Sequence, residues 1–191
     1  CLNPSLARRF PTNDRMLCYK RLTHPTFTDT MFAGTTSKRG NKCAQVYATS
    51  FGWARTHPMT RKGKAHETLS LLFHRNGVPP TMIFDGSKEQ TSSDFKRKLR
   101  EADCHGRQTE PYSPWQQAAE ECIRELKRGT SRKMIKTGSP KTLWDHCIEL
   151  EALVRSSTSN DIYMTNGEVP ETIMTGNTAD ISHISEFGWY D

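Results

Sequence analysis

The sequence predicts an α/β domain built on a mixed sheet, and three observations carry that prediction. Short β-type runs joined by tight turns fill residues 27–59 and read as an antiparallel meander. A helical pattern follows at 61–77. The apolar run TMIFD comes straight after it, at 81–85. Strand, helix and strand in that order imply a crossover that returns the chain to the same sheet.

Residues 1–25 are polar and basic, and Pro4, Pro11 and Pro25 interrupt any regular element. They read as a lead-in linker, either solvated or packed beside the domain. FTDTMFAG, at 27–34, alternates with period two, so Phe27, Asp29 and Met31 share one face of a first strand. SKRGNK forms a basic turn, and KCAQVYATS, with Ala44, Val46 and Ala48 alternating against polar neighbours, forms a second strand. Phe51-Gly52 turns the chain into a third, WARTHPM, which stops near Pro58. Ala65, Leu69, Leu72 and Phe73 then fall at helical spacing, and Gly77 and Pro79 end that helix. His66 and His74 lie on it two turns apart and read as surface or half-buried helix residues, not ligands.

After the TMIFD strand, residues 92–104 read as a helix capped by Ser92 or Ser93, with Phe95 and Leu99 as its apolar edge. GRQTEPY is short and extended. A helix opens after Ser113-Pro114, where the missing proline N–H is harmless. Ala119, Cys122 and Leu126 line its apolar stripe, and Glu121 sits to one side. Residues 129–140 read as a flexible basic linker. The run 142–157 is a last long helix, and the tail from 160 holds loops and one or two short elements. The domain boundaries follow: a lead-in linker at 1–25, a core at 26–130, and a C-terminal helix and extension at 131–191.

The totals narrow the function. The 191 residues carry a net charge of +6, which favours an anionic partner, nucleic acid before membrane. No apolar run approaches the roughly 18 residues that span a bilayer. The six cysteines form no C-x-x-C pair and read as reduced intracellular thiols, without a structural zinc site. The chain opens on Cys1 and is expected to be part of a longer product.

Asp29 lies in the first strand, Asp85 ends the strand after the crossover, and Glu121 lies on a later helix. Sites in open α/β sheets cluster near strand carboxyl ends. Three carboxylates so placed are hard oxygen ligands, able to hold two divalent ions roughly 3.5–4 Å apart for phosphoryl transfer. Helix geometry alone does not choose between Glu120 and Glu121.

At these residues the sequence resembles the catalytic core of retroviral-type integrases, and within them the copia-like retrotransposon branch. The resemblance rests on Asp29 in FTDTMFA, Asp85 in IFDGSKEQ and Glu121 in PYSPWQQAAEE. Thirty-five residues separate the second and third acids, and a Ser-Pro precedes the helix. It extends into the tail through GEVPETIMTGNTADISHISEFGW, so it covers about residues 26–190. The Ser-Pro register selects Glu121 over Glu120.

The resemblance implies an RNase H-like fold with a mixed five-stranded sheet flanked by helices. It implies two Mg²⁺ or Mn²⁺ ions held by Asp29, Asp85 and Glu121. The expected activity is that of a polynucleotidyl transferase, processing element DNA ends and joining them to target DNA. Tyr112, Gln117 and Arg128 match DNA-contacting positions. DNA and further copies of the chain are the implied partners, and the nucleus, or a cytoplasmic particle beforehand, the implied location. Ala118, Cys122 and Glu125 depart from the family's DNA-gripping pattern. A DNA-binding remnant without catalysis, or an RNase H-like nuclease, are the alternative readings.

Overall fold

The computed structural model describes residues 19–88, 90–109, 116–159, 165–185 and 189, with the backbone only at 116–118, 183 and 185. Its centre is a five-stranded sheet. Strands β1 (Thr26–Phe32), β2 (Cys43–Ala48) and β3 (Ala54–Met59) form the antiparallel meander. Helix α1 (Ala65–Arg75) crosses over to β4 (Thr81–Phe84), which pairs parallel with β1. Helix α2 (Ser93–Glu101) leads to β5 (His105–Gln108), parallel to β4. The strand order is β3-β2-β1-β4-β5, a mixed sheet with β1 at its centre. The chain then continues through α3 (Gln116–Thr137), α4 (Trp144–Ser157) and the short helices α5 (Pro170–Thr175) and α6 (Ser182–Ser185).

The period-two alternation decides what each face buries. Helices α1 and α2 cover one face, packing Leu69, Leu72, Phe73, Phe95 and Leu99 on Tyr47, Met82 and Phe84. Helices α3 and α4 cover the other, setting Cys122, Leu126, Trp144 and Ile148 on Met31, Ala44, Val46 and Ala48. Every residue of β2 is buried, because helices stand on both sides of it. Its polar Gln45 is satisfied within the sheet: Gln45 Nε2 donates to Thr28 Oγ1 at 2.6 Å, and Thr30 Oγ1 donates to Gln45 Oε1 at 2.8 Å. Burial without those partners would cost a few kcal/mol.

One reading changes against the structure, and one left open is settled for the described residues. Residues 129–140 were expected as a linker, yet α3 is helical through Thr137. Gly129 is used there for contact, since any Cβ would run into the Glu151 carboxylate of α4. Lys133 pairs with that carboxylate at 2.6 Å. Gly138, at φ 65°, ends the helix in a left-handed turn. The last residues of the lead-in segment are docked. Leu22 is buried, its N–H donates to the Val78 carbonyl at 2.9 Å, and Val78 N–H donates to the Lys20 carbonyl at 2.8 Å. Only glycine fits at position 77, where φ is +120° and a Cβ would overlap the Lys20 carbonyl. Residues 1–18 lie outside the described part.

The tail is fastened to the sheet edge. Glu171 of α5 accepts from Trp53 Nε1 at 2.8 Å and from Arg55 Nη2 at 2.6 Å. Met174 is fully buried in the core of the α1 face.

Candidate active site

The parallel register of β1 and β4 builds the site. Phe27 lies beside Ile83 and Thr28 beside Phe84. One more step along both chains sets Asp29 beside Asp85, just past the end of β4. Alternation turns Phe27, Asp29 and Met31 to the α3 side, while Thr28 and Thr30 serve the network around Gln45. Phe27, Ile83 and Ala119, the last from the first turn of α3, form a small apolar floor. Above it a cleft of about 60 Å³ is lined by Asp29, Asp85, Thr109 and Glu120.

Glu120, not Glu121, is therefore the glutamate that the helix brings to the two aspartates. Successive helical residues turn by about 100°. Ala119, Cys122, Leu126 and Thr130 are the buried stripe that faces the sheet. Glu120 stands on the flank of the stripe next to β1. Glu121 falls roughly opposite the stripe, is exposed, and faces Arg124 at 3.7 Å. The expectation that Glu121 completes the acidic set does not match this placement. The Ser-Pro register selects the neighbouring residue, which does not line the cleft. The signal that separates the two acids was present in the same stripe, once its sheet-facing side is known.

The electrostatics agree with the geometry. Burial pushes the Asp29 carboxyl above its ordinary range. The Thr30 N–H, donating to Asp29 Oδ1 at 2.6 Å, opposes that shift. The negative charges of Asp85 and Glu120 add to it, and Lys62 partly offsets them. Asp85 Oδ1 accepts from the Ser87 N–H at 3.0 Å, which folds the chain sharply after β4.

Three carboxylates facing one cleft form a hard-oxygen donor set, the type that takes Mg²⁺ or Mn²⁺. Among the described residues, no three acidic, His or Cys groups are close enough to grip one ion as they stand. Asp29 and Asp85 each have an oxygen turned to a backbone N–H instead. The donor chemistry fits a divalent cation, and its binding would draw those oxygens away from the backbone.

The expected DNA-contacting residues divide. Tyr112 lies outside the described residues, and of Gln117 only the backbone is described, in the first turn of α3. Arg128 is exposed on the outward side and pairs with Glu125 at 3.6 Å. One and two turns beyond Glu120 stand Arg124 and Lys127, both exposed; Lys127 keeps to the flank of Glu120, while Arg124 turns outward to Glu121. Cys122 is buried in the core of the α3 face, so its departure from the family pattern is a packing choice and not a surface one.

No family model and no curated protein matches the chain. Solved structures do. The catalytic core domain of BIV integrase superposes with a TM-score of 0.62 at 15% identity, over 78% of this chain and 92% of that one. A chain of the simian T-cell lymphotropic virus intasome, solved with the PP2A regulatory subunit B56 gamma, gives 0.61 at 14% identity. That match covers 78% of this chain and 53% of the intasome chain. The fold is that of retroviral integrase catalytic cores, with the mixed five-stranded sheet of the RNase H-like class. No helix among the described residues is long and apolar enough to cross a membrane.

Proposed function

We propose that this chain is the catalytic core of a DNA integrase, a polynucleotidyl transferase that processes and joins the ends of a retrotransposon of the copia-like branch. The observation that supports this most is the meeting of Asp29, Asp85 and Glu120 at one cleft, on a fold shared with integrase cores. In this reading those three carboxylates hold the catalytic Mg²⁺ or Mn²⁺ ions, with Glu120 in the place first given to Glu121. The ions, when bound, activate the attacking oxygen and stabilise the leaving one.

The chain's own residues do the rest. β1 and β4 fix the spacing of the two aspartates. The apolar floor of Phe27, Ile83 and Ala119 limits water beneath them. Arg124 and Lys127 offer cations to the DNA backbone along the flank of α3, giving affinity without sequence choice. The proposal includes assembly of several copies on DNA and action in the nucleus, and treats residues 26–130 with the 131–191 extension as one catalytic unit after a lead-in linker.

Strand transfer of a labelled element-end oligonucleotide with Mn²⁺ tests this. Wild-type protein joins the oligonucleotide to target DNA. Asp85→Asn and Glu120→Gln each lose about a hundredfold or more, since one ligand carries several kcal/mol of transition-state stabilisation. Glu121→Gln retains wild-type joining. No joining by the wild type, within its full-length protein, would sink the enzyme reading. Loss with Glu121→Gln but not with Glu120→Gln would return the third ligand to its first assignment.

A further inference from the structure

A second groove, of about 440 Å³, lies between the end of β1 and the flank of α3. Phe32 is three residues beyond Asp29 on the same strand, and Lys127 is two turns beyond Glu120 on the same helix. Both line the groove, on the two elements that also carry Asp29 and Glu120. Two of the four exposed large apolar side chains among the described residues are here, Phe32 at 59% and Ile135 at 81% exposure. Such clustering marks a binding surface more than chance exposure does.

The charge on the groove identifies the occupant. Lys127 and Lys141 line it, and no acid is among its described lining residues. Lys62, on the short turn before α1, holds its ammonium 6.0 Å from the centre of the Phe32 ring. An exposed aromatic ring bordered by lysines is the combination that binds unpaired nucleotides: bases stack on the ring, and phosphates meet the cations. A duplex keeps its bases stacked on each other and has no use for the ring.

We propose that this groove is a single-strand subsite, in which unpaired nucleotides stack on Phe32 with their phosphates on Lys62, Lys127 and Lys141. The inference rests on the DNA-joining reading for its substrate. Its test does not depend on joining, because binding is measured with EDTA present.

Fluorescence anisotropy of the 191-residue chain with a labelled oligothymidylate is compared with a blunt duplex. Phe32→Ala weakens the single strand by about tenfold and the duplex by less than about twofold, and Phe32→Trp keeps single-strand affinity. Lys127→Gln weakens both probes and flattens the salt dependence. An oligonucleotide carrying 5-iododeoxyuridine cross-links to Phe32, read by mass spectrometry. Equal losses on the two probes, no loss with Phe32→Ala, or no binding of either probe would overturn the subsite. A change in oligomeric state with Phe32→Ala and unchanged single-strand affinity would assign the groove to a second copy of the chain instead. If wild-type joining fails while the Phe32 selectivity stands, the enzyme reading falls and the subsite remains.

Discussion

The two faces of the sheet are packed with side chains of different size. On the α1 and α2 side the core is large and aromatic, with Tyr47, Trp53, Phe73, Phe84 and Phe95 in one cluster. On the α3 and α4 side the sheet offers mainly small residues, Ala44, Val46, Ala48 and Ala54. Large rings bury the most area and contribute most to stability. Small residues let a helix backbone come close, and here that helix is the one that carries Glu120. One face holds the fold together, and the other sets the distance between a helix and two strand ends.

Three measurements sharpen that division. The largest effect is expected at Leu69, fully buried on the aromatic face. Leu69→Ala costs about 2–5 kcal/mol, read from the urea midpoint. On the opposite face Ala44→Leu costs about 1–3 kcal/mol by overpacking. It also lifts α3, so strand transfer falls by more than the unfolded fraction accounts for. Equal loss of activity per unit of stability in the two variants would erase the distinction.

The next effect belongs to His57, buried on the aromatic side with its ring edge-on to Tyr47 at 5.7 Å. Burial, with Arg75 and Arg55 nearby, pulls its pKa from 6.5 down to about 4. The folded state therefore binds fewer protons than the unfolded chain between those values, and stability falls as the pH drops through that window. From pH 7 to pH 5 this group alone removes about 2 kcal/mol. His57→Gln, compared with wild type at the two pH values, loses that part of the acid sensitivity. An unchanged pH slope would count against it.

The smallest effect lies at the cleft. The Asp29 carboxyl titrates above its ordinary value of 3.8. Its charged form is disfavoured by folding, so stability is greatest below 3.8 and is lost as pH rises through the folded value. Asp29→Asn should raise the melting temperature slightly at pH 7 and leave it unchanged near pH 3. The same variant loses the rise that Mn²⁺ gives the wild type, because a bound ion stabilises only the form that holds it. A metal-induced shift that survives Asp29→Asn would remove this residue from the ligand set.

Much of this was legible along the chain. The alternation of Phe27, Asp29 and Met31, the helix marked by Leu69 and Leu72, and the crossover to Asp85 follow from periodicity, which records which side of an element is dry. The linker expected at 129–140 was misread because Gly129 has low helix propensity, while packing against Glu151 makes its missing side chain an advantage. The docking of Leu22 and the fastening of Glu171 to Trp53 and Arg55 join residues far apart in sequence, and no local pattern announces them.

The sequence by itself determined the α/β class, the two strand aspartates and the presence of a glutamate at the head of a helix. Tertiary structure alone decided which glutamate faces the cleft. Glu120 and Glu121 are adjacent, share a helix and have the same chemistry. They differ only in angle about an axis, and that angle acquires meaning once Ala119, Cys122 and Leu126 are pressed against the sheet. The same rotation turned Arg128 outward and brought Lys127 to the groove beside Phe32.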